Sequence, residues 1–138
     1  DTGPMSFVPG SHKEELYDHT NTFAENNLLS RGQEIKRTID KDLCKIAPLR
    51  AGEMSLHNVR TIHNSGPNES KERRIGMVLR YCATHVRQTK GSDTAVLVSG
   101  QDNHHNFQLL DQPQQDFGEK ETKIHLDATQ KLSKIIMS

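Results

Sequence analysis

"TIHNSGPNESKERRIG", residues 61–76, sets His63 two residues before Ser65, passes through Gly66, Pro67 and Asn68, and reaches Arg74 eleven positions after the histidine. Gly, Pro and Asn in succession are a turn signal, because Gly accepts positive φ, Pro presets φ and Asn bonds its own backbone. The chain is expected to reverse here and to bring an arginine-bearing strand beside a histidine-bearing one. The run "RIGMVLRY" (74–81) alternates with period two: Ile75, Met77, Leu79 and Tyr81 line one face, and Arg74, Gly76, Val78 and Arg80 the other. A neutral imidazole suits a metal, and a guanidinium fork suits a carboxylate. Together they fit a ligand that chelates a metal and presents a far carboxylate, and Gly76 leaves room for it on the face of Arg74. Taken alone, His63 in its extended apolar context reads as a hydrogen-bonded core histidine; the turn and the arginine favour a site.

Outward from this stretch the chain reads as short extended pieces. "GPMSFVPGSHK" (3–13) is a strand stopped by Pro9-Gly10, which removes a donor and permits positive φ. Residues 14–36, "EELYDHTNTFAENNLLSRGQEIK", show no clean period and read as a short helix or loop. "CKIAPLRAGEMSLHNV" (44–59) is two extended pieces broken at Pro48 and at Ala51-Gly52, with Met54 and Leu56 on one face and Glu53, Ser55 and His57 on the other. "TAVLVSG" (94–100) is a further strand, and 104–117, "HHNFQLLDQPQQDF", a loop. The tail, 119–138, is an amphipathic helix with Ile124, Ala128, Lys131, Leu132, Ile135 and Ile136 near one face. The pattern predicts a mainly β chain, a sandwich or jelly-roll piece over 1–118 with a C-terminal helix over 119–138.

Composition narrows the partners. Lys plus Arg number 18 and Asp plus Glu 18, so charge steers the chain toward neither nucleic acid nor an anionic membrane. Leu, Ile, Val and Phe make up roughly 22% of the residues, a thin supply for a core. No apolar run approaches the ~18 residues of a membrane span, and a soluble, cytoplasmic placement is expected. Cys44 and Cys82 lie in no C-x-x-C pair and are expected to be reduced and buried. The first residue is Asp1, and a strand begins within three residues of it, which reads as a cut end.

The segments "GPMSFVPGSHK", "PLRAGEMSLHNVRTIHNSGPNESKERRIGMVLRY" and "KGSDTAVLVSGQDNHHNF" together resemble the phytanoyl-CoA dioxygenase family of iron(II)- and 2-oxoglutarate-dependent oxygenases, over residues 2 to about 108. The resemblance implies a double-stranded β-helix (jelly roll, cupin-like) whose iron is held by a His-x-Asp pair and a distal histidine, with open positions for cosubstrate and oxygen. It maps the distal histidine to His63, the 2-oxoglutarate arginine to Arg74, and a serine that meets the same carboxylate to Ser65. In the family the His-x-Asp pair precedes the PGSHK turn; the chain is read as holding no His-x-Asp anywhere, so two of the three protein ligands are expected to be missing from it. The chain is thus expected to be the C-terminal part of an oxygenase that hydroxylates a small organic substrate, with halogenation left open. As a fragment it is expected to be inactive, poorly stable and self-associating through exposed strand edges. The alternative from another class is a non-catalytic β-fold remnant that binds a small ligand or partner.

Three other constellations are weaker. Glu53, His57 and His63 offer a carboxylate and two nitrogens as a local metal site. Cys82, His85, His104 and His105 have zinc-ligand chemistry, but Cys82 and His85 face opposite ways on a strand. His12 belongs to turn architecture, and the sequon at Asn68 falls inside the proposed site loop and is discounted.

Overall fold

The computed structural model describes residues 2–25 and 31–137. The strand predicted before Pro9-Gly10 forms as β1 (Met5–Phe7), and Gly10, at φ 82°, turns the chain into a single 3-10 turn, Ser11–Lys13. Lys13 N–H donates to Gly10 O at 3.0 Å and Glu14 N–H to Ser11 O at 3.1 Å, so the PGSHK motif closes on itself. His12 sits in this turn, as expected.

Residues 14–36 depart from the helix-or-loop expectation. β2 (His19–Asn21) pairs antiparallel with β3 (Gln33–Ile35) in the register His19↔Ile35, Thr20↔Glu34 and Asn21↔Gln33. Backbone bonds Lys36 N–Asp18 O and Phe23 N–Arg31 O extend the ladder at both ends. Its strands carry few apolar residues, so alternation gives no signal, and backbone pairing alone defines the element. Residues 26–30 of that stretch lie outside the described residues. The hairpin is tied back by the Tyr17 hydroxyl, which donates to Glu14, and by Arg37, which donates to both and lies 5.1 Å over the Tyr17 ring.

β4 (Lys45–Ala47), β1 and β5 (His63–Ser65) form a three-stranded antiparallel sheet with β1 in the middle. The registers are Phe7↔Lys45 and Met5↔Ala47 on one side, Phe7↔His63 and Met5↔Ser65 on the other. Gly3 makes this approach possible: at φ +67° it lies so close to residues 66–67 that a Cβ would fall 2.3 Å from Gly66 O.

The two strongest alternating segments form no ladder. Met54 and Leu56 are 75% and 83% exposed, and no described residue pairs with "EMSLH" as a strand. Ile75, Met77, Leu79 and Tyr81 are exposed as well, and residues 74–81 carry no strand. Alternation marks an apolar face; it does not supply the neighbouring strand whose N–H and C=O groups complete one. Residues 66–69 form no assigned turn, the chain bends at 70–72 instead, and the Arg74 segment does not become a paired strand beside β5.

The chain divides into two compact units, Asp1–Met77 and Val78–Ser138. In the second, β6 (Thr94–Ala95) pairs in parallel with β7 (Gln108–Leu109), placing a strand inside the predicted loop 104–117 and shortening the one predicted at 94–100. The predicted helix forms as α1 (Glu119–Met137). Glu119 and Glu121 in its first turn and Lys134 in its last complement the helix dipole. Glu121 also accepts Gln114 N–H at 3.1 Å, which holds its carboxyl below the usual range. Ile124, Ala128, Lys131 and Ile135 form the less exposed stripe, whereas Leu132 and Ile136 stay exposed. No helix among the described residues is long and apolar enough to cross a membrane.

Ile135, 9% exposed, is the one buried apolar side chain among the described residues; Ser11 (4%) and Thr61 (9%) are buried polar ones. The accessible surface is 12345 Å², against roughly 7,000–9,000 Å² for one or two compact domains of this mass. The thin core predicted from composition is observed. Both cysteines are free thiols, but Cys44 is half-buried and Cys82 exposed, because so little interior exists to receive them.

Candidate functional site

Antiparallel pairing with β1 decides which way the β5 side chains point. Residues two apart share a face, so His63 and Ser65 lie on the same side of the sheet as Phe7, Met5 and Ala47, and Asn64 on the other. His63 and Ser65 thus share one face of the sheet.

The rings of Phe7, His57 and His63 cluster, with centroids 4.8 Å apart for Phe7 and His57, 6.0 Å for Phe7 and His63, and 5.3 Å for the two imidazoles. His57 also faces a cavity of about 440 Å³ shared with Phe7, His12 and Ala47. The Nδ1 of His63 lies 2.7 Å from Thr61 O. A carbonyl oxygen only accepts, so this bond needs a proton on Nδ1, and in the neutral ring that arrangement keeps on Nε2 the lone pair that metal ligation needs.

Arg74 is exposed and makes no hydrogen bond or ion pair with a described residue. The loop before it is built by Asn68, whose Nδ2 donates to Glu72 O at 2.7 Å and whose Oδ1 accepts Ser70 N–H at 3.0 Å and Ser70 Oγ–H at 2.7 Å. The amide that a sequon would offer for modification is thus part of the loop's own hydrogen bonding.

Glu53 does not join the histidines. Its carboxylate accepts Arg50 N–H at 2.8 Å and closes the turn at Gly52, which adopts φ 87°. The local Glu53, His57 and His63 site is therefore reduced to a pair of imidazoles. In the second unit the rings of His85 and His104 approach to 6.2 Å, while Cys82 stays exposed and His105 lies 4.0 Å from Asp102. Asp102, with its side chain 7% exposed, accepts His104 and His105 N–H, and these bonds hold its carboxyl below the usual range. No group of three or more His, Cys, Asp or Glu among the described residues could hold a metal ion, which removes both local alternatives.

One His-x-Asp triplet does occur, His125-Leu126-Asp127, and corrects the expectation that the chain lacks the pattern. It lies within α1, where residues two apart point about 200° from one another. Both side chains are exposed and cannot chelate one ion from that helix. The triplet is a helical coincidence of spacing rather than the pair that lies before the PGSHK turn in the family.

Sequence reasoning missed Ser11 and Thr61, the two buried polar residues among the described residues of the first unit. The available signal was the PGSHK motif itself, which was read for its proline, glycine and histidine.

The phytanoyl-CoA dioxygenase family matches residues 1–76, more than half of the chain, and the chain belongs to that family. Among its relatives is a protein of Stutzerimonas stutzeri named as a probable alpha-ketoglutarate-dependent hypophosphite dioxygenase, 36% identical over 83 residues. That match covers 59% of this chain and 29% of the relative, so the chain corresponds to less than a third of the relative's length. No solved structure matches.

Proposed function

We propose that this chain supplies part of the site of an iron(II)- and 2-oxoglutarate-dependent oxygenase acting on a small molecule. His63 is the distal iron ligand, and Arg74 and Ser65 receive the distal carboxylate of 2-oxoglutarate. The observation that carries the reading is the His63 ring: Nδ1 is engaged by Thr61 O, which leaves Nε2 as the nitrogen free for a metal, on a face shared with Ser65, in a chain of this family.

The residues present do not complete an iron centre. One imidazole is too few ligands for a facial triad, and His57, its nearest neighbour in kind, brings no carboxylate with it. The remaining ligands are assigned to polypeptide outside residues 1–138. β5 is the outer strand of its sheet, and its second edge is unpaired among the described residues. In a double-stranded β-helix a strand carrying the His-x-Asp pair would add there, and the unpaired run 74–81 would find its ladder in the opposing sheet.

The substrate is not read from these residues. The relative's name gives hypophosphite, and here no Lys and Arg cluster marks a nucleotide-bearing substrate. The test is an anaerobic iron(II) titration of the 138-residue chain beside the full-length protein. The chain alone should show no tight site, whereas the full-length protein binds iron and releases succinate. A monomeric chain that binds iron with micromolar affinity by itself defeats the reading, and so does a full-length protein without a His-x-Asp ahead of Asp1, which leaves a non-catalytic ligand-binding remnant.

A further inference from the structure

The ladder between β1 and β5 does not simply end at Phe7 and His63. Val8 N–H donates to Ile62 O at 2.9 Å, but the return bond of that pair is relayed: Ile62 N–H donates to Ser11 Oγ at 2.8 Å, and Ser11 Oγ–H donates to Val8 O at 2.7 Å. A hydroxyl that is both acceptor and donor has replaced one rung. The peptide unit it grips is the one joining Thr61 to Ile62, whose carbonyl end receives Nδ1–H of His63. That unit is planar and rigid, so the Ser11 hydroxyl and the His63 ring hold opposite ends of one amide.

We infer that Ser11 is a positioning residue for His63. It fixes the plane of the Thr61-Ile62 peptide and polarises it, since an amide whose N–H is bonded is a better acceptor at its oxygen. Thr61 O then selects the Nδ1–H form of His63 and aims Nε2 away from the backbone. At 4% exposure Ser11 is buried, so loss of its hydroxyl leaves the Ile62 N–H and Val8 O with little access to solvent. This rests on the reading of His63 as a ligand for its functional meaning, but the geometric claim stands apart from it.

The experiment measures the His63 tautomer in the full-length, metal-free protein by long-range ¹H–¹⁵N correlation, at about pH 8 where imidazole is neutral, with Ser11→Ala, Ser11→Thr and Ser11→Cys beside the parent. The parent and Ser11→Thr should show His63 as the Nδ1–H form. Ser11→Ala should move the tautomer ratio toward Nε2–H by about threefold or more, with iron affinity falling about tenfold. If Ser11→Ala fails to fold, Ser11→Cys, whose thiol is a longer and weaker partner, should show the same shift in smaller degree. A folded Ser11→Ala or Ser11→Cys protein with the parent's tautomer overturns the inference. If His63→Ala keeps its iron-dependent turnover, the ligand reading fails while the tautomer result stands or falls on its own.

Discussion

Two stretches flanking Arg74 carry opposite lessons. Residues 61–65 have little strand character in sequence, yet β5 is paired along its length with β1 and clamped at its start by Ser11. Residues 75–81 have the clearest alternation in the chain and are left exposed, Met77 by 87%. A strand is completed by a partner's donors and acceptors, and its own pattern only says which face is apolar. The paired region can therefore orient a ring to a single tautomer, while the unpaired region offers apolar surface and backbone groups to whatever strand comes beside it.

The sharpest break of this comparison is at His63. On the proposed reading His63→Ala in the full-length protein is expected to lower iron-dependent succinate release by more than about 100-fold, because a facial triad would lose one of its three protein ligands. Activity within tenfold of the parent would remove the residue from the iron site.

Next in size is the close approach of Gly3 to the backbone of residues 66–67. Gly3→Ala places a Cβ against backbone oxygens at a positive φ and should cost about 1–3 kcal/mol. Calorimetry should record a lower Tm, and an unchanged Tm would mean that this approach is not maintained in solution.

Arg74→Lys replaces a fork with a point charge and should raise the KM for 2-oxoglutarate about tenfold with iron affinity little changed. If Arg73→Lys does this instead, the alternation over 74–81 is out by one residue and its faces exchange.

The unpaired stretch is tested by Met77→Lys in the 138-residue chain. Stability should change by less than about 0.5 kcal/mol, since the side chain touches little, while light scattering should show less self-association. A large loss of stability would reveal a packing role that its exposure denies.

The smallest effect concerns the 102–106 loop. The Asp102 carboxyl is lowered from 3.8 by the His104 and His105 N–H bonds. Its contribution is present above that ordinary value and is lost as pH falls through the lower folded-state value. The protection factors of the His104 and His105 amides, taken against the intrinsic exchange rate at each pH, should therefore fall only below about pH 3.8; a fall already at neutral pH would show that the Asp102 carboxylate does not hold this loop.

By itself the sequence determined the family, through the PGSHK turn and the spacing of His63, Ser65 and Arg74. It also determined the C-terminal helix, whose 3.6-residue stripe is local information, and the scarcity of core. Tertiary structure alone decided the rest. The β2–β3 hairpin is polar and shows itself only when its backbones pair. Glu53 satisfies a turn instead of meeting His57, because the Arg50 N–H lies three residues away. His125 and Asp127 have the family's spacing on a helix, where it carries them to opposite sides. His63 Nδ1 meets Thr61 O, and the same peptide unit is held at its other end by Ser11, groups two and fifty-two residues distant from the ring. Spacing along a chain fixes direction only once the local backbone is known, and a hydrogen bond across a turn obeys no sequence period at all.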